Sequence, residues 1–422
     1  MIAGKKDYVL GGRGIMSPPS RPRGNTHWVN RTTLGIGLAS LFSDWSHEIA
    51  TTVMPAFLAS LGVAAAWLGL IEGVADGLSS FAKMASGFYT DRLQRRKKIA
   101  VLGYLITTSA TGAIGLAVSA WHVLIARSVA WFGRGMRTPI RKALLAASVS
   151  RDNYGRAFGL ERMMDTIGAI VGPVTALFLL QITHTHYPSV LAYTLIPGFL
   201  AAAVIAFLVQ EKDRAPVPHI SFGQSLRSLP RPFRKYLFGV GIFGLGDFAH
   251  SMLILLAAQR LLPLLGAAKA AALAAGLYVM HNVFYALFSF ISGWLADRFD
   301  KRKLLAAGYL LACIMAVTVV IAPVSLWTFA AVFTLGGIYV AVEETLEDSL
   351  CAELVDDSQH GMAFGVLATV NGIGDFASSL AVGFLWTAFG ESIAFSYSAI
   401  LFTVGAFLIA RLKPISPTSA PA

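Results

Sequence analysis

Long apolar stretches, each ended by a short polar loop, run along almost the whole chain. The pattern predicts about twelve helices, over 33–61, 67–90, 99–119, 121–147, 156–181, 189–209, 235–258, 271–295, 303–323, 326–350, 361–388 and 392–411. Most are long enough to cross a hydrocarbon core of roughly 30 Å, which takes about 20 helical residues. The period-two alternation of barrel strands is not seen. Helices and closed barrels are the two structures that satisfy their own backbone groups in lipid. The chain therefore reads as an all-α membrane protein.

The polar positions between the apolar runs set the topology. Helices 2 and 3 are joined by "DRLQRRKK", helices 8 and 9 by "DRFDKRK", and helices 6 and 7 by a segment with Lys212, Arg214, Arg227, Arg231, Arg234 and Lys235. The opposite loops hold little beyond Arg260 and Lys269. The positive-inside rule then places both termini and the 211–233 linker in the cytoplasm. The halves also repeat: "GFYTDRLQRRKK" at Gly87 matches "GWLADRFDKRKL" at Gly293, and "GRAFG" at Gly155 matches "GMAFG" at Gly361, at one common offset. The organisation read from this is a disordered basic cytoplasmic tail (1–32), a six-helix bundle (33–210), a linker (211–233), a second pseudo-symmetric six-helix bundle (234–411) and a short tail (412–422). Parallel repeats with a binding site near the midplane between them are a transporter plan.

Composition agrees with the pattern. Hydrophobic residues make up 55% and charged residues 14% of the 422, against roughly 25% charged in a soluble domain. The net charge of +11 sits mostly in the loops, so it is read as topology and not as a nucleic-acid surface. The two cysteines, Cys313 and Cys351, imply neither a disulfide framework nor a Cys-based metal site. The first thirty or so residues lack the apolar centre of a signal peptide. No Walker A pattern is present, and no soluble catalytic domain is left over, so an enzyme is not expected.

With these motifs the chain resembles the major facilitator superfamily over essentially its whole length. Gly87, Asp91, Arg92, Arg95 and Arg96 resemble that family's loop signature, with Gln94 where glycine is usual; Gly293, Asp297 and Arg298 echo it in the second half, where Asp300 stands in the place of Gln94. Arg127 with Gly133 and Gly135 resembles the fourth-helix motif, with Ala130 and Trp131 as departures. "GAIVGP", Gly168 to Pro173, resembles the fifth-helix element of proton-coupled exporters. The resemblance implies that helices 1, 4, 7 and 10 line a central cavity and that 2, 5, 8 and 11 flank the contact between halves.

Several charges then stand inside spans, at a cost of about 2.5–3.5 kcal/mol each. Asp44, His47 and Glu48 share one face of helix 1 by their i, i+3, i+4 spacing. Helix 7 carries Asp247 and His250 with the same Asp-x-x-His spacing, about one turn out of the register set by the loops. Arg127, His281 and Asn282 join them as candidates for substrate or proton coupling. The same acids and imidazoles could instead pair with Lys83 and Arg127 to hold helices together. Alternatively, Asp44, His47, Asp247 and His250 could ligate a divalent metal.

A second set lies on helices 4 and 10. Arg134, Arg137 and Arg141 share a face of helix 4, and helix 10 carries Glu343, Glu344, Glu347 and Asp348. Aligning the AFG segments sets Arg137 at the repeat position of Glu343, Arg141 at that of Glu347 and Lys142 at that of Asp348. The inverted signs predict a cytoplasmic gate closed by Arg137–Glu343 and Arg141–Glu347 pairs. Solvated helix ends and an anion-attracting stripe are the other readings.

The function expected is secondary active transport: proton-coupled efflux of a small organic molecule by a monomer in a bacterial inner membrane, with protons, substrate and the bilayer as partners. No cofactor is expected beyond the proton gradient. A divalent metal exporter (iron, nickel or zinc) and a non-transporting sensor or scaffold are the alternatives.

Overall fold

A computed structural model describes residues 28–63, 65–211 and 221–413. The tail readings for 1–27 and 414–422 lie outside the described residues. Fifteen α-helices, three short 3-10 turns and no strand are found among the described residues.

The first half contains α1 (Arg31–Ser60), α2 (Ala65–Thr90), α3 (Arg96–Ala113), α4 (Ala120–Ser148) and α5 (Tyr154–Ile182). Helices α6 (Tyr187–Tyr193) and α7 (Leu195–Leu208) complete it as one span bent at Thr194. The second half contains α9 (Arg231–Gly244), α10 (Ser251–Leu265), α11 (Ala267–Ala296), α12 (Lys301–Ile321), α13 (Leu326–Leu354), α14 (His360–Phe389) and α15 (Glu391–Ala410). A short helix, α8 (Phe222–Ser228), lies in the linker and starts with a capping box between Ser221 and Gln224. Helix starts follow local chemistry elsewhere too. The Asn30 side chain accepts from the amides of Thr32 (2.9 Å) and Thr33 (3.0 Å), and Asp300 accepts from that of Arg302 (3.0 Å).

Twelve spans result, in two six-helix bundles. Eight of them are apolar and long enough to cross a membrane by length and composition alone. The first, second and fourth spans carry charged side chains within the helix, and the seventh is broken. Where 235–258 was expected as one helix, α9 stops at Gly244 and α10 resumes at Ser251. The interruption stays polar-satisfied because neighbours supply partners. Tyr397 donates to the Leu245 carbonyl (3.0 Å), Ser378 to that of Asp247 (2.5 Å), and Ser379 Oγ accepts from the Ala249 amide (3.2 Å). A Cβ on Gly246 would meet Leu401 Cβ at 2.9 Å, which explains a small residue at the turn.

The halves meet through α2 with α14 and α5 with α11. Both contacts are tightest at the end that carries the basic loops, called the basic end below. A Cβ on Gly87 would lie 2.5 Å from the Gly361 carbonyl oxygen, and one on Gly159 would lie 2.5 Å from that of Ser289. Gly155 and Gly293 touch backbone to backbone in the same way. Glycine is therefore required by close approach at these seams, and the basic end is shut.

Candidate functional site

The first-half site is built on α1. Asp44 accepts from Arg134 Nη2 of α4 at 2.9 Å. The His47 ring lies 4.5 Å from that of Trp131, and its Nε2 is 3.6 Å from Glu48 Oε1. Arg127 of α4 is buried, pairs with Glu72 of α2 at 3.0 Å and lies 3.6 Å over Trp131. Trp131 Nε1 in turn donates to Asp76 at 2.7 Å. The acid face of α1 is pressed against α5 because Gly168 and Gly172 leave no room for a Cβ beside Asp44 and Glu48. The "GAIVGP" segment thus acts here as a packing surface for the acids.

The arginine ladder of α4 does not make the pairs its repeat positions predict. Arg137 is buried, donates to Ser43 Oγ at 2.5 Å and lies 3.9 Å over the Tyr104 ring. Arg141 pairs with Glu161 of α5 at 2.7 Å and donates to Ser40 Oγ, also at 2.7 Å. Glu343 is buried and forms no ion pair among the described residues. Glu347 accepts from Tyr309 OH at 2.5 Å and from Asn371 Nδ2 at 2.8 Å. The expected Arg137–Glu343 and Arg141–Glu347 contacts are therefore absent among the described residues. For Arg141 the physical reason is α5, which brings Glu161 and Asp165 to it within its own half; Arg137 is held by Ser43 of α1 and Tyr104 of α3.

The halves are bridged one step away. Lys142 Nζ reaches Asp348 Oδ1 at 2.6 Å. Arg162 of α5 reaches Glu344 at 2.9 Å, Asp348 at 3.8 Å and Asp165 at 3.2 Å. The Tyr285 hydroxyl also donates to Glu344. The sequence reasoning passed over Glu161, Arg162 and Asp165. Their i, i+1, i+4 spacing just after "GRAFG" was the available signal.

The loop signature ties the shut end symmetrically. Asp91 accepts from the amides of Gly361 and Met362, both at 2.8 Å, at the start of α14 in the other half. Asp297 accepts from the amides of Gly155 (2.7 Å) and Arg156 (3.1 Å) at the start of α5, and from Arg156 Nε at 2.9 Å. Each aspartate thus caps a helix across the seam, where unpaired amides and the dipole favour an anion. The basic residues beside them act locally. Arg92 lies 3.4 Å over Phe88 and Arg298 3.6 Å over Trp294, while Arg95 is exposed. Arg96 is buried beside Glu211, whose carboxylate accepts its amide at 2.6 Å.

In the second half, Asp247 sits in the break of the seventh span and accepts from Tyr339 OH at 3.0 Å. The His250 and His281 rings are 4.9 Å apart, and the Asn282 side chain donates to the Tyr278 carbonyl at 3.2 Å. His250 Nε2 and His281 Nδ1 are buried without a hydrogen-bond partner among the described residues. Among the described residues no three His, Cys, Asp or Glu side chains converge to hold a metal ion. The alternative ligand set of Asp44, His47, Asp247 and His250 is thus not assembled.

Between the halves lies a cavity of about 210 Å³. Its wall from the first half contributes Lys83, Arg134, Arg141, Lys142, Arg162 and Asp165; the second half contributes Glu344, Glu347, Asp348, Asn371 and Asp375. Basic groups face acidic ones across a polar space that can be wetted or filled by a polar ligand.

Comparison with known proteins fits this arrangement. The family profile described as Major Facilitator Superfamily matches residues 36–278 and 236–422. An uncharacterized MFS-type transporter of Methanocaldococcus jannaschii is 27% identical over 385 residues, spanning 91% of this chain and 96% of that protein. The multidrug resistance protein MdtH of Shigella boydii is 24% identical over 311 residues, 71% of this chain and 73% of its own length. The crystal structure of the human organic anion transporter MFSD10 covers 90% of this chain and 99% of its own, with a TM-score of 0.71 and 14% identity, a likeness of fold.

Proposed function

Because this chain belongs to the Major Facilitator Superfamily and is an integral membrane transporter of that type, we propose that it is a proton-coupled exporter of a small organic molecule. The observation that carries the reading is the pair of acids at mid-span in corresponding helices: Asp44 held by Arg134, and Asp247 held by Tyr339. A carboxylate is costly at that depth unless paired, hydrogen-bonded or neutralised by a proton. The partial likeness to a protein named for multidrug resistance supports efflux over uptake.

The basic end is the cytoplasmic end under the positive-inside rule. With that end shut, the form described faces outward. A proton delivered from outside neutralises Asp44, frees Arg134 and lowers the cost of moving α1 against α4. The halves then rock about the α2–α14 and α5–α11 seams, the Asp91 and Asp297 caps let go, and the cavity opens to the cytoplasm. Proton release there restores the Asp44–Arg134 pair, and substrate enters from the cytoplasm for the return step. No cofactor is required; the proton gradient drives the cycle. The expected setting is a bacterial inner membrane, with the chain acting as a monomer.

Substitution of either acid tests the reading. Asp44→Asn and Asp247→Asn should each leave expression and insertion intact and abolish gradient-driven efflux in proteoliposomes. Full gradient-driven efflux by both single variants contradicts the proposal.

A further inference from the structure

At the basic end of the second half, a second cavity of about 460 Å³ opens between the first turn of α9, the last turns of α13 and α15, and the start of α12. Its volume falls within the roughly 300–1,000 Å³ of small-molecule sites. The transport cycle described above does not use it. Six basic residues line it against two acids. Both acids are already paired: Glu353 with Lys301 at 2.7 Å and Asp356 with Arg151 at 3.8 Å. Arg302 is held by Asp300 and by the Leu412 carbonyl. The other four basic residues, Arg231, Lys235, Arg411 and Lys413, are exposed. They form no ion pair among the described residues.

Position adds to charge. Arg231 and Arg411 stand at the ends of α9 and α15, two membrane helices that pack side by side. One or two turns deeper on those helices, Phe238 and Phe407 are exposed apolar side chains, and the Arg411 guanidinium lies 4.0 Å over the Phe407 ring. The remaining wall is apolar, with Pro230, Pro232 and Leu354. A cationic cup at the water boundary above an apolar seam matches a phosphate ester with acyl chains below it.

We propose that this cavity binds a phosphate group, supplied by the headgroup of an anionic phospholipid. Phosphate free in solution carries the same chemistry, and the experiment separates the two sources. The site rests on membrane placement alone, so its failure and that of the exporter reading are independent.

The test uses the full-length chain, purified in detergent and delipidated. Its thermal unfolding midpoint is followed during titration with dioleoylphosphatidylglycerol, dioleoylphosphatidylcholine or inorganic phosphate. A ligand that binds the native state raises the midpoint. Phosphatidylglycerol should raise it and phosphatidylcholine should not. Arg231→Gln/Lys235→Gln should weaken the phosphatidylglycerol response roughly thirtyfold, the loss of two basic contacts. Arg95→Gln/Lys98→Gln, which removes the same charge from the first half, should leave it within about twofold. Lys235→Glu, on an exposed side chain, changes the charge by the same amount and should weaken the response to a similar extent, as a second check. Inorganic phosphate acting with the same dependence on Arg231 and Lys235 would assign the pocket to soluble phosphate in place of lipid. An equal response to phosphatidylcholine, an equal loss in both double variants, or no response to either phosphate source overturns the proposal.

Discussion

At the scale of single residues, the charges inside this protein are held by partners, and the closeness of each partner sets the consequence of losing it. Arg141 and Glu161 are both buried and 2.7 Å apart, with Ser40 bonded to each. Removing one member of such a pair leaves an uncompensated buried charge, at about 3–5 kcal/mol. Glu161→Gln is therefore expected to lower thermal stability strongly, whereas Arg95→Gln on the exposed loop is expected to change it by less than about 0.5 kcal/mol. Unfolding followed by intrinsic fluorescence compares the two. Similar midpoints would mean that Arg141 finds another acid, for which Asp165 at 3.9 Å is the candidate. The helix-1 acids were legible in the sequence because an acid within an apolar run stands out. Glu161, Arg162 and Asp165 were not, because they lie in the first turns of a span, where charges usually meet water. Only the packing of α5 against α1, α11 and α13 buries them.

At the scale of helices, two devices hold the basic end shut. One is the exchange of aspartate caps, Asp91 onto α14 and Asp297 onto α5. Asp91→Ala removes two short hydrogen bonds to otherwise unpaired amides and should shift the population toward the form open at the basic end. Asp91→Ala/Asp297→Ala should shift it further. The other is the bridge from Arg162 to Glu344 and from Lys142 to Asp348. Exposed pairs contribute about 0–1 kcal/mol, but Arg162, Lys142 and Asp348 are largely removed from water, Glu344 is 35% exposed, and the pairs lie on a contact that forms in one state only. A double-mutant cycle with Arg162→Gln and Glu344→Gln should give a coupling of about 1–3 kcal/mol, read as the ratio of open to shut forms from spin-label distances. A coupling near zero would leave the aspartate caps as the sole latch. Of the three repeat-position pairs on helices 4 and 10, the present α4 and α13, Lys142–Asp348 is made, whereas Arg137–Glu343 and Arg141–Glu347 are not. Repeat position fixes where a residue stands in its own half, and a partner from a third helix can intercept it; α5 does this to Arg141. The broken seventh span was likewise hidden, because Gly244 and Gly246 in an apolar run fit a continuous helix as well as a turn.

At the scale of the whole molecule, the helices and the two halves followed from the apolar periodicity and the repeated loops, and the helices at the seam from the family resemblance; the close approach of Gly87, Gly155, Gly159 and Gly293 there was visible only in the packing. The chemistry between the halves did not follow, since it depends on which side chains of separate spans share one cavity. The central claim is that proton occupancy of Asp44 and Asp247 sets whether the basic end is shut or open. Pulsed electron spin resonance tests this without knowledge of the substrate. Cys313 and Cys351 are replaced by alanine, and spin labels are placed at the exposed positions Arg95 and Ser358, one in each half. The protein is reconstituted in lipid nanodiscs, and distances are recorded as a series between about pH 5 and about pH 8, which brackets neutrality. The account predicts two distance populations whose ratio changes with pH in the parent protein, and a ratio fixed across that range in Asp44→Asn/Asp247→Asn. A parent distribution that does not move with pH, or a double variant that moves as the parent does, contradicts it.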